Sequence, residues 1–311
     1  MPGTLQMEGV QLRIDFSFAS VAPGQIPPIS YATQKLLRVD NNTGFTRLLP
    51  HATCADHYIK SEAHFVGMQF FSAVVHRKIR SPLKEDLESQ VIQILREQWT
   101  VESTKGVPDP EQLRLSNHAK DLETATVLYA DLDGSTNMVD NYQWSFSAEI
   151  YKGYLRCAAR IIADEGGVVT AYDGDRVMAV FTGTTKNTSA VRAAMKINYA
   201  VEEIIRPAIA KQYPNTNFEL KHVIGIDSSQ LRAARIGVRG YNDLVWIGRA
   251  ANYAAKLTNL SDKPLWITKT VYDSMNKDVK LSSDGREMWE KRYWTAMSNM
   301  EIYCSTWLYG V

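Results

Sequence analysis

The chain reads as an α+β protein, a ferredoxin-like antiparallel sheet with helices on one face, preceded by an N-terminal extension. Three observations predict this. From Thr124 onward, short apolar runs alternate with helical periodicity in the order β-α-β-β-α-β, with additions. Asp173-Gly174 joins two such runs, as a tight hairpin requires. The 311 residues are 45% hydrophobic, enough for one large domain or two ordinary ones with a buried core.

Residues 1–81 form the extension, which is weakly patterned and rich in turn formers, as in SVAPGQIPPISY and VDNNTG. His51-Ala52-Thr53-Cys54-Ala55-Asp56-His57 has the residue types of a metal box but no second ligand cluster at a suitable spacing, so no metal is expected there. The basic cluster HRKIR at 76–80 reads as a solvated helix end or a linker. Residues 82–120 form a helix followed by a linker or dimer arm. Ser81-Pro82 supplies an N-cap and a first-turn proline, and Leu87, Val91 and Leu95 recur every four residues, which predicts an amphipathic helix over 82–99. The polar run after Thr100, with two prolines in GVPDPEQ, reads as the linker.

Residues 121–311 form the main domain. TVLYADL is a short strand of the buried type, and a helix covers roughly 142–165, ended by Gly166-Gly167. VVTAYDGDRVMAVF at 168–181 is a hairpin in which Asp173-Gly174 makes the turn and Asp175 begins the returning strand. Ala190, Ala194, Ile197, Val201 and Ile204 share one helix face over 188–206, and Pro207 ends or kinks that helix. FELKHVIGID and QLRAARIGV read as two strands, and VWIGRAANYAAKL runs from a strand into a helix. PLWITK is another strand and EIYCSTWLYGV a closing one.

Composition excludes several classes. The net charge of +1, from 35 Lys+Arg against 34 Asp+Glu, argues against a nucleic-acid surface and against a polybasic membrane anchor. No apolar run reaches the roughly 18–20 residues of a membrane span, and MPGTLQMEGV lacks the order of a signal peptide. Cys54, Cys157 and Cys304 are odd in number and far apart, so a protein of a reducing compartment, the cytoplasm, is expected.

Three stretches carry chemistry. Asp131 ends its strand, so its carboxylate emerges at the rim of the sheet, and Gly134, Ser135 and Thr136 turn into a helix start. Free backbone N–H groups there bind phosphate oxygens; an Asx-type turn that merely caps a helix fits the same residues. If the hairpin lies beside that strand, Asp131 and Asp175 meet at one rim, and two close carboxylates repel unless a cation sits between them. Hard oxygen ligands suit Mg²⁺ or Mn²⁺ with phosphates as the remaining ligands; the alternative is a hairpin whose second acid is solvated. Asn252 and Lys256, four apart in IGRAANYAAKL, share a helix face and can hold a ribose and a phosphoryl group, or form one polar stripe.

Together the three blocks resemble the catalytic domain of class III nucleotidyl cyclases. The matching features are an Asp-Leu strand end with a phosphate-loop turn, Gly174-Asp175-Arg176-Val177-Met178-Ala179-Val180-Phe181, and Gly248-Arg249-Ala250-Ala251-Asn252-Tyr253-Ala254-Ala255-Lys256-Leu257. They follow the family's order over roughly 120–270. The resemblance implies two metal ions per site, Mn²⁺ or Mg²⁺, held by Asp131, Asp175 and the backbone carbonyl of Leu132. It implies that Asn252 orients the ribose and that Lys256, where the family usually has arginine, meets the α-phosphoryl group. Metal residues and the Asn/Lys pair would come from different protomers of a head-to-tail homodimer.

Purine cyclases place polar base-reading side chains at the positions of Ala171 and Val245, which here offer no side-chain hydrogen bond. Tyr172 and Trp246 beside them are bulky enough to shrink the base pocket or to stack on a ring. The chain is therefore most similar to the bacterial pyrimidine cyclases of Pycsar antiphage systems. That resemblance implies a UTP substrate, or CTP, a cyclic UMP or cyclic CMP product, and a separate effector that the product activates. An atypical adenylate cyclase with relocated base contacts, or an inactive cyclase fold that binds nucleotide or a partner protein, are the competing readings.

Overall fold

The computed structural model describes residues 81–311 and the backbone of four short N-terminal strands, β1 (Thr4–Met7), β2 (Val10–Arg13), β3 (Phe16–Ser17) and β4 (Ser72–Ala73). β1 pairs antiparallel with β2, and β3 with β4. The stretches 51–57 and 76–80 singled out above lie outside the described residues. Contacts divide the chain into Met1–Gln93 and Ile94–Val311.

The Ser81 hydroxyl accepts the Lys84 N–H at 3.2 Å, capping α1 (Pro82–Arg96) where the sequence placed a helix start. The expected stripe is there, but Leu87, Val91 and Leu95 are all more than half exposed. Beyond it, the stretch read as a linker holds β5 (Thr100–Ser103), which pairs parallel with the start of β6 (His118–Asp133). β6 is 16 residues long, more than twice the strand legible in TVLYADL. Its first half carries Lys120, Asp121 and Glu123, whose charge hid the strand pattern.

The remaining strands are β7 (Val168–Asp173), β8 (Arg176–Phe181), β9 (Lys221–Val238), β10 (Tyr241–Ile247), β11 (Leu265–Thr268), β12 (Glu290–Trp294) and β13 (Met300–Ser305). They form one sheet in the order β12-β13-β11-β9-β6-β8-β7, with β10 on β9 and β5 on β6. Only β11–β9 and β5–β6 are parallel. The α+β antiparallel architecture read from the sequence is the one observed. FELKHVIGID and QLRAARIGV are, however, a single strand, β9, because its middle (Ser228-Ser229-Gln230) is polar yet fully paired with β6.

The helices are α2 (Ser135–Asn141), α3 (Trp144–Asp164), α4 (Lys186–Ala200), α5 (Arg206–Gln212), α6 (Arg249–Leu257) and α7 (Lys269–Ser274). Strand alternation divides the sheet's two faces. Leu128, Ala130 and Leu132 of β6 join Val177, Ala179 and Phe181 of β8 in the core under α3, α4, α5 and α7. Ala125, Val127, Met178 and Val180 face the other way, against Ala250, Ala251 and Ala254 of α6. Helices thus cover one face, as expected, except that α6 alone lies on the other. Between α4 and α5 a π-helical turn spans Val201–Ile205. The extra residue rotates the apolar face, so Ile205 is buried and Ile204, expected in the core, is 45% exposed. Pro207 follows at once in the first turn of α5, where its missing N–H is tolerated. No helix among the described residues is long and apolar enough to cross a membrane.

His222 of β9 is buried opposite Leu132, with its ring 5.9 Å from that of Tyr154 and its Nε2 without a partner. Burial, aided by the Arg206 charge, pushes its pKa down to about 3. The unfolded histidine takes up its proton near 6.5, so between those values the unfolded state binds more protons and stability falls as pH falls. Urea unfolding is expected to give about 2–3 kcal/mol less stability at pH 4.5 than at pH 7 from this group. His222→Phe should lack that part of the slope; an unchanged slope would rule the assignment out.

Candidate active site

Asp173 pairs with Arg176 across the β7–β8 hairpin, which leaves Gly174 and Asp175 as the two turn residues. The turn therefore sits one residue later than the sequence suggested. Glycine takes the first central position because φ there is +62°. Asp175 belongs to the turn itself, not to the returning strand, and the tip of the hairpin presents it beside the end of β6.

Asp131 lies near the end of β6 on the same face as Val127 and Tyr129. Its carboxylate accepts hydrogen bonds from Arg176 Nε (3.1 Å) and Nη2 (2.8 Å), and from the Thr258 hydroxyl at 3.5 Å. The Tyr154 hydroxyl reaches the Asp131 backbone carbonyl at 3.5 Å from beneath. Burial pushes the Asp131 carboxyl above the ordinary carboxylate range against the pull of Arg176, and the Asp175 charge adds to the rise. The two aspartates thus feel each other at the rim of the sheet. One oxygen of Asp175, Oδ2, is buried with no hydrogen-bond partner among the described residues. An orphaned carboxylate oxygen beside a second carboxylate fits a divalent cation with hard oxygen ligands. Among the described residues no three His, Cys, Asp or Glu side chains group as metal ligands, so the remaining ligands would be the Leu132 carbonyl and oxygens from outside the chain.

Gly134 adopts φ +76° as α2 begins at Ser135, and buried Met138 anchors that short helix to the core. Gly134 and Thr136 are exposed, with Ser135 half-buried between them. A cleft of about 280 Å³ opens beside Asp131 and Leu132, lined also by Asp133, Val223 and Thr258 at the end of α6.

α6 lies directly on β9 because Gly225 has no side chain: a Cβ there would sit 2.2 Å from the Ala254 carbonyl oxygen. Its small buried face, Ala250, Ala251 and Ala254, leaves Asn252 and Lys256 on the exposed face. Neither side chain has a hydrogen-bond or ion-pair partner among the described residues, so both polar groups are free to meet a ligand.

Ala171, Trp246 and Tyr129 each pack against the α6-side core. Val245 takes the other face of β10 by strand alternation. Tyr172 is 57% exposed and pairs with Val177, whose side chain enters the α3-side core, so the structure does not bring Tyr172 beside Ala171. Sequence reasoning passed over Tyr129 and Arg176. The Arg176 guanidinium joins them, forking onto Asp131 and lying 5.9 Å from the Tyr129 ring centroid. Alternation could have found Tyr129, two residues before Asp131 and hence on its face; nothing in the sequence reveals the partner of Arg176.

The fold is that of class III nucleotidyl cyclases. The crystal structure of the adenylyl cyclase CyaB from P. aeruginosa superposes with a TM-score of 0.50 at 20% identity, covering 60% of this chain and 95% of that one. No protein-family model matches the chain. Its sequence relatives are more specific. A uridylate cyclase from Burkholderia cepacia is 60% identical over 230 residues, 74% of this chain and 99% of that protein. One from Xanthomonas perforans is 53% identical over the same share of both. The chain belongs to the uridylate cyclase family.

Proposed function

We propose that the chain converts UTP to 3′,5′-cyclic UMP and pyrophosphate at a site built around Asp131 and Asp175. The observation that carries this reading is the 60% identity to a uridylate cyclase along nearly that protein's whole length. Asp131, Asp175 and the Leu132 carbonyl would hold two Mn²⁺ or Mg²⁺ ions. When bound, such ions supply the positive charge that lowers the pKa of the ribose 3′-hydroxyl and neutralises the triphosphate. Backbone N–H groups at Gly134, Ser135 and Thr136 cradle phosphate oxygens. Asn252 orients the ribose, and Lys256 places a compact charge at the α-phosphoryl group, without the fork an arginine would offer. The 3′-hydroxyl gives up its proton to solvent, and its oxygen bonds to the α-phosphorus in line as the bond to pyrophosphate breaks.

The base meets a wall of Ala171, Trp246 and Tyr129 that lacks the usual purine-reading groups, with Val245 and Tyr172 as neighbours on the same strands. Since Asn252 and Lys256 have no partner among the described residues, they would complete the metal pair of a second copy in a head-to-tail homodimer. The product would activate a separate effector, as in an antiphage signalling system of the cytoplasm.

Purified protein incubated with Mn²⁺ and each of ATP, GTP, CTP and UTP is expected to yield cyclic UMP as the main product by chromatography. Cyclic CMP would reassign it as a cytidylate cyclase, and cyclic AMP would overturn the pyrimidine reading. No cyclic product under several metals would leave a nucleotide-binding module.

A further inference from the structure

Asp227 is a charged side chain that the proposed chemistry does not use, yet it is completely buried. It lies on β9 facing α6. Its carboxylate accepts hydrogen bonds from Arg249 Nε at 3.0 Å, from Arg249 Nη2 at 3.3 Å and from the Thr268 hydroxyl at 2.5 Å. Arg249 is the first residue of α6. The same Nη2 also donates to the Ser228 carbonyl at 3.0 Å and to the Thr270 hydroxyl at 3.1 Å. One residue on, the Ala250 N–H donates to the Ser229 hydroxyl at 2.9 Å. The beginning of α6 is therefore tied at several points to β9, to the end of β11 and to α7.

Only the carboxylate of this pair is buried, the Arg249 side chain being 42% exposed, and such a pair is a poor device for stability, because desolvating the carboxylate costs about as much as its partners return. What a fully bonded one does supply is geometry: the forked guanidinium meets a carboxylate in few orientations. Gly225 lets α6 approach the sheet, but a face of alanines has little shape to stop it sliding or turning. The polar clasp at its first turn removes that freedom. At the other end Thr258 contacts Asp131. Asn252 and Lys256 ride between these two anchors.

We propose that Asp227 and Arg249 are positioning residues that fix the pose of α6, and through it the reach of Asn252 and Lys256 toward the nucleotide. The proposal rests on the roles given to Asn252 and Lys256 above. It implies that disturbing the clasp lowers kcat more than it weakens substrate binding, since it displaces the groups aimed at the reacting ribose and phosphoryl.

The test is a double-mutant cycle with UTP and Mn²⁺ that compares wild type, Arg249→Lys, Asn252→Ala and the double variant, with thermal midpoints measured alongside. Arg249→Lys keeps the charge and loses the fork. It is expected to lower kcat by roughly 10–100-fold, the cost of a misplacement near 1 Å, with KM changed less than about threefold. In the Asn252→Ala background the same change should cost clearly less than in wild type, because one of the two groups it positions is gone and only Lys256 remains to be misplaced. Equal losses in both backgrounds, or no loss of kcat in Arg249→Lys, would overturn the clasp while leaving the site intact. Wild-type kcat in Asn252→Ala would instead remove the role of Asn252 and the clasp with it. Should Arg249→Lys fail to fold, Thr268→Val takes its place in the cycle; it removes one bond to Asp227 and should show the same kcat-specific, Asn252-dependent loss at smaller size.

Discussion

Asp175→Ala is expected to lower UTP turnover by about 10³-fold or more, the several kcal/mol that a metal site contributes to charge stabilisation, while the metal-free protein becomes slightly more stable. Both effects come from the same geometry. The Asp175 Oδ2 atom is buried without a hydrogen-bond partner among the described residues, beside an Asp131 carboxyl whose pKa burial raises, with the Asp175 charge adding to the rise. A carboxylate in that position destabilises the metal-free fold, so removing it should add about 1 kcal/mol. Asp131→Ala gives a contrast. It should be equally inactive but less stable, because it strands the Arg176 guanidinium that now forks onto Asp131. Activity assays and thermal denaturation in chelator distinguish the pair. An Asp175→Ala protein that keeps activity within tenfold, or that loses stability, would show that the acid is held for the turn and not for a cation.

How far such a site is legible in sequence depends on which interactions are local. The approach of Asp131 to the end of its strand, the glycine turn that presents Asp175 and the four-residue spacing of Asn252 and Lys256 are written in consecutive residues, so pattern finds them to within a residue or two, β6 running on to Asp133 and the turn falling on Gly174-Asp175. The small face of α6 is local too, in Ala250, Ala251 and Ala254. What escaped were partnerships across the fold. Arg176 pairs with Asp131 over 45 positions, and Asp227 meets Arg249 over 22 positions and Thr268 over 41. No periodicity encodes these. Strand length failed for a related reason: β6 and β9 continue through polar stretches because each pairs with the other from Ala119 to Asp133, with one irregularity between Asp121 and Thr124, and a hydrophobicity pattern does not see a ladder. The pyrimidine reading drew on Ala171, Val245, Tyr172 and Trp246 as neighbours in sequence. In space alternation divides them, leaving Ala171 and Trp246 with Tyr129 on the α6 side.

Gly225→Ala should do damage far beyond the size of the one methyl group it adds. A Cβ at Gly225 would lie 2.2 Å from the Ala254 carbonyl oxygen and 2.7 Å from the Leu257 Cβ. Neither atom can rotate away, since one is helix backbone and the other is fixed to it. α6 must therefore back off the sheet by about 1 Å to restore contact near 3.5 Å, at a cost of about 1–3 kcal/mol in stability. Asn252 and Lys256 move with it, and a displacement of that size costs about 10²-fold in turnover. Gly167→Ala separates the catalytic part from the structural part. Its Cβ would meet the Phe181 ring at 2.5 Å and the Ile162 side chain at 2.9 Å, in the core under α3 and on the face away from α6. Both variants should unfold at lower urea concentration than wild type, but only Gly225→Ala should lose kcat beyond what its unfolded fraction explains. If both lose kcat alike, the helix pose is not what the site depends on. If Gly225→Ala keeps full turnover at reduced stability, α6 tolerates displacement and the roles of Asn252 and Lys256 do not depend on where the sheet holds them.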